Sequence, residues 1–445
     1  MMIKFLSALW YHDLAGRHQA YRSKGEWQNV NFVEHCYVSQ NDSTYYKRDI
    51  HSERFYHLVE DYGVDFPSIV FVYVPDKDKA LYERIKVMSN MLGIQTQCAV
   101  MKQFEGQGNK KEQYASNIAT KINAKLSTAH DKAISWTSSF DDRSNADQLP
   151  WVGERPTLIV GVGIVHGMFK SVVAASVCLD KGCMRLSHSC FIQKKSDCIS
   201  DSIMTDIMKV AIDDYQIDNK RFPERVLFLR DGISDGNFRQ AGIEIEAIRK
   251  ALADRLPGRS IPITFVVCQS QQQGFKMVPN ESIPDSRGTR GRPMTNVRSG
   301  TSLQCGDSSY YLIAQCGLKG TSKPVKHIVI INENESPVDG IGLTLLNLEN
   351  LANQMCYKYP TATKAVREVP AIKYAKKLAN QVFSSIRFLE NGCEWYGMKM
   401  RLVCPEGDTL TEDELRPYLK LTRIDGTEGK SYNIVRTPFR NHLAA

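Results

Sequence analysis

The chain has 445 residues, enough for two or three domains at ~100–200 residues each. Hydrophobic residues make up 42% and charged residues 24%, a globular balance that excludes a disordered chain. No uncharged apolar run approaches the ~18 residues that cross a bilayer, so no membrane-spanning segment is expected. The apolar residues 1–10 run into His12, Asp13 and Arg17 without a cleavage pattern, so a secretory leader is not expected either. Lys and Arg total 57 against 49 Asp and Glu, a net charge of +8 that suits a polyanionic partner without establishing one.

From residue 68 a β-branched and aromatic run, Ser-Ile-Val-Phe-Val-Tyr-Val, predicts a buried strand. The charged turn 75–79 and an amphipathic helix over 80–91 follow. A short strand over 95–101 and a helix over 114–126 complete a strand–helix–strand–helix unit, the pattern of a parallel α/β layer. Residues 127–153 are rich in Ser, Asp and Asn and read as a connection. Three strand candidates then lie close enough to be antiparallel neighbours, over 157–164, 171–179 and 184–193. A helix over 203–215, a strand over 225–230 ending at Asp231, a helix over 238–256 and a strand over 263–268 continue the pattern. Residues 280–300 form a basic Gly/Arg/Ser-rich loop. Strands over 309–316 and 326–331 and helices over 341–358 and 370–386 close it.

Three antiparallel strands followed by helix, strand, helix and strand suit an RNase H-like domain. Such folds perform metal-assisted phosphodiester chemistry when carboxylates gather at neighbouring strand ends and hold two cations ~4 Å apart. The fold alone does not bring that chemistry with it. The twelve cysteines contain no CxxC pair. Cys178, Cys183, Cys190 and Cys198, with His188 among them, come nearest to a cluster. They lack the tight ligand pairing of a zinc site, so reduced, mostly buried thiols are expected.

Two sets of motifs carry a resemblance. Phe228-Leu-Arg-Asp-Gly-Ile-Ser-Asp-Gly-Asn-Phe238, Asn296-Val-Arg-Ser-Gly-Thr301 and Gly317-Leu-Lys-Gly-Thr-Ser-Lys-Pro324 resemble segments of the Piwi domain of the Argonaute/Piwi family. Tyr82-Glu-Arg-Ile-Lys86, Thr96-Gln-Cys98 and Lys121-Ile-Asn-Ala-Lys125 resemble the MID domain. They occur in the family's order over roughly residues 55–385. The resemblance implies an α/β protein with a Rossmann-like MID domain and an RNase H-like Piwi domain. The expected divisions are 1–65 as a leading segment, 66–150 as MID, 151–390 as Piwi and 391–445 as a C-terminal insertion and tail. No counterpart of the family's N and PAZ domains is expected before residue 66. The divergent 393–430 insertion resembles the expanded Argonautes of nematodes.

On a helix, Tyr82 and Lys86 share a face, and Lys121 and Lys125 repeat that spacing. An ammonium pair, a phenol and the amide of Gln97 suit a terminal phosphate carrying a stacked base, although most i, i+4 lysines are merely solvated helix faces. The resemblance favours the receptor: the family binds a guide's 5′ phosphate at the positions of Tyr82, Lys86, Gln97, Lys121 and Lys125. The base-reading loop corresponds to residues 75–79 and is one residue longer here. Lys323 stands where the family often has an Arg on the guide backbone, and Gln381 where an Arg often reaches the 5′ end. The segment 266–273 carries glutamines in place of a cationic cluster.

The cutting site is expected to be degraded. The family's first metal-binding Asp falls at Gly163, and its last ligand falls at Lys376. Asp231 keeps the second carboxylate. The loop-borne Glu falls near residues 200–202, where Asp201 is the sole carboxylate. Glycine has no ligand, and an ammonium offers no lone pair and repels Mg²⁺. Asp231 then reads as a structural remnant, for instance one capping the turn before the helix at Phe238. His166 and Asp235 match ordinary family positions. The resemblance thus implies a small-RNA-binding silencing protein without slicing activity, monomeric, needing no cofactor and no Mg²⁺ at the Piwi site. Its partners would be a guide RNA, complementary target RNA and silencing effectors, in cytoplasm or nucleus. The alternatives are a metal-dependent guide-directed endoribonuclease and a remnant acting only through protein contacts.

Overall fold

The computed structural model describes parts of residues 70–125, and residues 148–390 apart from short internal stretches. It also describes the backbone of five strands between 393 and 440. The leading segment 1–65, most of the connection 127–153, much of the basic loop 280–300, Gln271 to Gln273 and the Asp235 side chain lie outside the described residues. The described residues divide between two compact units. One lies within residues 1–131 and 381–437, the other within 132–380 and 438–444.

In the first unit, β1 (Val70–Val74) pairs in parallel with β2 (Thr96–Val100), Phe71 opposite Gln97. Residues 82, 83, 85 and 86, between these strands, are helical. The helices α1 (Met101–Glu105) and α2 (Asn109–Lys125) follow. Ile118 and Ile122 bury one face of α2 against Ala99 and Phe104, as the 3.6-residue period requires. α2 starts five residues earlier than the sequence pattern suggests, because its polar first turn has no apolar periodicity to show it. Residues 393–433 contribute an antiparallel sheet of β13 (Cys393–Trp395), β14 (Met398–Val403), β15 (Tyr418–Arg423) and β16 (Glu428–Asn433).

The second unit is built on one large mixed sheet. Its central strands are β3 (Thr157–His166), β4 (Lys170–Cys178), β5 (Leu186–Lys194), β6 (Arg225–Asp231) and β7 (Ile263–Gln269). Two dipeptide strands pair inside the basic loop, β8 (Ile283–Pro284) with β9 (Pro293–Met294). Beyond them come β10 (Thr301–Gln304), β11 (Ser309–Ile313) and β12 (Val325–Asn332), and the described tail adds β17 (Phe439–Arg440) against β5. The order is β10-β11-β12-β7-β6-β3-β4-β5-β17. β3, β6 and β7 are parallel, and β4 and β5 fold back antiparallel beside β3. This is the expected RNase H-like arrangement.

Alternation along the strands sends side chains to two layers. Leu158, Val160 and Val162 of β3, with Val173, Phe228 and Phe265, pack against α3 (Asp201–Asn219) and α4 (Phe238–Arg255). The opposite face receives α6 (Pro370–Glu390), which follows α5 (Leu345–Cys356). Here β3 presents Gly161 and Gly163. A Cβ on Gly161 would lie 2.5 Å from the Ala371 carbonyl carbon and 2.6 Å from the Ile372 nitrogen. These are backbone atoms that cannot yield, so the bare strand is what lets α6 approach so closely.

Candidate functional sites

Two clusters of chemically active side chains stand out, one in each unit. In the first unit, the Lys86 ammonium donates to the Thr96 carbonyl oxygen at 3.0 Å and to Thr96 Oγ1 at 3.1 Å. Lys125, at the end of α2, donates to the same Thr96 carbonyl at 3.1 Å and to Gln97 Oε1 at 2.7 Å. Gln97 is held in turn by its Nε2 donating to the Cys98 carbonyl at 2.8 Å. Both lysines are buried, 6% and 4% exposed. Because they share one acceptor, their nitrogens lie within about 6 Å of each other, a repulsion of about 3 kcal/mol at an effective dielectric of 20. Cys98 does not relieve it. Burial pushes its thiol pKa up, outweighing the pull of Lys86 and Lys125, so it stays neutral.

Tyr82 lies beside the pair, its ring centroid 5.6 Å from Lys86 Nζ, and leaves 45% of its surface exposed. Burial pushes its phenol pKa up to about 12. A cation under one end and an open ring face suit stacking. Lys121 is half-buried, one turn before Lys125. The turn at residues 76–79 is pinned by Asp76, which accepts from Lys102 Nζ on α1 and from its neighbour's amide, Lys77 N, at 2.7 Å.

In the second unit, the face of the sheet covered by α6 brings Gly163, Asp231 and Lys376 together. Asp231 ends β6, and Lys376 sits one turn and a half into α6. Lys376 Nζ lies 3.3 Å from Asp231 Oδ1, 3.2 Å from Glu368 Oε2 and 3.2 Å from Ser270 Oγ. Its stem covers Gly163, where an added Cβ would meet Lys376 Cγ at 2.8 Å. Burial raises the Asp231 carboxyl pKa, Lys376 pulls it back and Glu368 pushes it up again, for a net rise. Burial lowers the Lys376 ammonium, but Asp231 and Glu368 outweigh it and hold its pKa above the ordinary value. The ammonium is therefore firmly charged, a fixed cation between two carboxylates.

Asp231 does not cap the following helix. Its carboxylate is engaged by Lys376, while α4 begins after Asn237, which makes no side-chain capping bond. Asp201 sits in the first turn of α3 and pairs with Lys250 on α4 at 3.5 Å. The loop before α3 is fastened instead by a buried ion pair, Arg230–Glu244 at 3.0 Å. Glu244 accepts from Ile199 N, and Arg230 donates to the Asp197 carbonyl. Lys323 is exposed, its carbonyl accepting from Arg367 Nε at 3.0 Å. Gln269 donates to the Ile233 carbonyl at 2.8 Å. His166 sits between Ser171 Oγ, 2.8 Å from Nδ1, and Asp197, 3.4 Å from Nε2.

Sequence reasoning missed Glu368 and Ser270. They come from separate loops, 98 residues apart in the chain, with no spacing pattern to link them. It also missed Lys373 and Lys377, which lie 4.7 and 5.4 Å from the centre of the Tyr359 ring. Burial pulls both ammoniums down, Lys377 to about 8. The i, i+4 spacing on α6 was visible, but not the tyrosine that meets it. Among the described residues no group of three His, Cys, Asp or Glu is placed to hold a metal ion.

The Piwi domain family model matches residues 69–387. The chain belongs to the Argonaute/Piwi family. Rice argonaute 18 is 30% identical over 331 residues, covering 70% of this chain and 28% of the relative. Fission yeast argonaute is 28% identical over 338 residues, covering 73% of this chain and 37% of the relative. The chain thus spans about a third of the length of these curated relatives. The C-terminal lobe of a budding yeast Argonaute superposes with a TM-score of 0.60 at 20% identity, covering 76% of this chain and 66% of that one. Kluyveromyces polysporus Argonaute with a guide RNA gives 0.60 at 20% identity, over 75% of this chain and 39% of that one. The fold is that of an Argonaute C-terminal lobe.

Proposed function

We propose that this chain holds the 5′-phosphorylated end of a small guide RNA and acts in RNA-mediated silencing without cutting the target. The observation that carries the binding half is the convergence of Lys86 and Lys125 on one carbonyl. Two buried ammoniums that close repel each other, and a phosphate between them turns that repulsion into two charge-assisted bonds. Gln97 adds a polar contact, Tyr82 a platform for the first base, and Lys121 a further cation on the same helix. Target choice then belongs to base pairing by the guide, and silencing to proteins recruited afterwards.

The non-cutting half is supported by Lys376. The two-cation chemistry of RNase H-like sites does not fit these residues. An ammonium already stands between Asp231 and Glu368, where a cation would have to sit, and Gly163 supplies no ligand. Introducing a carboxylate at 163 would also collide with the Lys376 stem.

Both halves are tested with the full chain. A 5′-phosphorylated RNA is expected to bind at least tenfold more tightly than its 5′-hydroxyl counterpart, since a charge-assisted bond contributes ~1.5–3 kcal/mol. The Lys86→Ala/Lys125→Ala variant is expected to erase that difference. Equal affinities for the two ends in the native protein would overturn the pocket. Incubation of the loaded protein with labelled complementary RNA and Mg²⁺ or Mn²⁺ is expected to leave the RNA whole, and a discrete cut opposite the guide centre would instead establish an endoribonuclease.

A further inference from the structure

Helix α5 meets the edge strand β10 along a seam that takes no part in either cluster. Glu349 and Asn353 lie one turn apart on one face of α5, and Tyr357 follows at its end. The chain entering β10 runs antiparallel to them and meets each in turn. The Ser302 hydroxyl donates to Glu349 Oε2 at 2.6 Å. A Cβ on Gly300 would lie 3.2 Å from Asn353 Nδ2, and Ser299 Oγ lies 3.2 Å from the Tyr357 hydroxyl. Two oxygens in this seam are left over. Glu349 is 4% exposed, and its Oε1 is enclosed without a hydrogen-bond partner; Asn353 Oδ1 is enclosed and partnerless in the same way.

Nothing nearby balances the carboxylate. Among the described residues Glu349 forms no ion pair with a Lys, Arg or His. Tyr310 of β11 borders it, and burial, Cys268 and Glu349 together push that phenol's pKa far up, so it stays a neutral hydroxyl 3.5 Å from the Leu348 carbonyl. The imidazole of His327, stacked on Tyr310 with ring centres 4.6 Å apart, brings no charge either, because burial pulls its pKa down to about 4. A buried carboxylate without a counter-charge is strongly destabilising, and each unpartnered buried acceptor adds to the loss. A water molecule would satisfy both leftover oxygens but leave the charge in place. A cation answers both. The available atoms are a carboxylate, a carboxamide oxygen and hydroxyls, the donor set of a hard cation, with no thiolate or imidazole for a softer metal. One negative charge is balanced by one positive charge, whereas a divalent ion would bury an excess.

We propose that Glu349 and Asn353 form a site for a monovalent alkali-metal cation, sodium or potassium, which staples α5 to the edge of the large sheet. Ser302 is exposed, so the seam opens to solvent beside the carboxylate and gives the ion a way in. β10 stands four strands from β6, about 19 Å at ~4.8 Å per strand, so the site is separate from the Asp231–Lys376 cluster. It is also independent of whether the chain binds RNA.

Thermal unfolding of the full chain in sodium, potassium and choline chlorides at one ionic strength tests the site. Choline is too large to enter the seam and serves as the reference. At least one alkali ion is expected to raise Tm saturably above the choline value, by about 4 °C at ten times its Kd. The ion with the larger shift at equal concentration is the one the site prefers. Glu349→Gln keeps the shape and removes the charge, and is expected to fold and to lose the alkali-specific shift. Asn353→Leu removes one oxygen and leaves the carboxylate, and is expected to need a severalfold higher salt concentration for the same shift. Equal Tm values for the native protein in all three salts overturn the site, and so does an alkali shift that persists in Glu349→Gln. A native protein indifferent to the cation that instead loses stability between pH 5 and pH 8, with the loss absent in Glu349→Gln, would put a proton in the seam and overturn the site as well.

Discussion

Replacing Lys376 by methionine removes the ammonium while keeping a stem over Gly163. Two carboxylates, each within 3.4 Å of the deleted nitrogen, would then face each other with side-chain exposures of only 14% for Asp231 and 20% for Glu368. Breaking a fully buried pair costs ~3–5 kcal/mol and an exposed one under ~1, and Lys376 is 27% exposed, so about 2 kcal/mol is expected near pH 7. The pH dependence is the sharper signature. Asp231 is already raised above 3.8 with Lys376 in place, and removing the lysine raises it further. A carboxyl raised in the folded state takes up more protons there than in the unfolded chain. Its penalty is therefore absent below the unfolded value and complete above the folded one. Urea unfolding followed by tryptophan fluorescence at pH 4.5 and pH 8 should show a clearly smaller difference between native and variant protein in acid than the about 2 kcal/mol in base. An equal loss at both pH values, or a gain at pH 8, would refute the fixed-cation account.

Gly163→Asp alone is expected to destabilise the protein by ~1–3 kcal/mol through overpacking against Lys376, and much less in a Lys376→Ala background. A double-mutant cycle by chemical denaturation reads that coupling, and additive effects would contradict the close approach of residue 163 to the lysine stem. Gly161→Ala drives its new methyl into the backbone of α6 and is expected to cost at least ~2 kcal/mol or prevent folding, read by thermal unfolding. Lys377→Met is expected to stabilise by about 2 kcal/mol at pH 7, since burial holds the Lys377 pKa near 8 against 10.5. A lysine lowered in the folded state carries its penalty fully below about 8 and sheds it as pH climbs towards 10.5, so the gain should fade in alkaline unfolding titrations.

Much of the large sheet could be read in advance because its central strands are buried on both faces and show as apolar, β-branched runs, as in Val226 to Leu229 and Ile263 to Val267. β10 escaped because it is a polar, mostly exposed edge strand whose sequence, Thr-Ser-Leu-Gln, has no face to alternate. The sheet of β13 to β16 escaped because a segment read as an insertion gave no expectation of regular pairing. In the candidate sites, motif matching supplied Lys86, Lys125, Gln97, Asp231 and Lys376. It could not show that two of these lysines share a carbonyl, or that Glu368 and Ser270 complete the surroundings of the third. Those facts depend on the folded path of loops, which one-dimensional spacing does not encode.

The glycine at 163 and the lysine that lies over it also constrain each other. An acid introduced at 163 would meet a space already occupied by the Lys376 stem. A change at 376 alone would leave two repelling acids and nothing to reward it. Either single change meets resistance from the present packing, so the two positions are tied together by a steric latch.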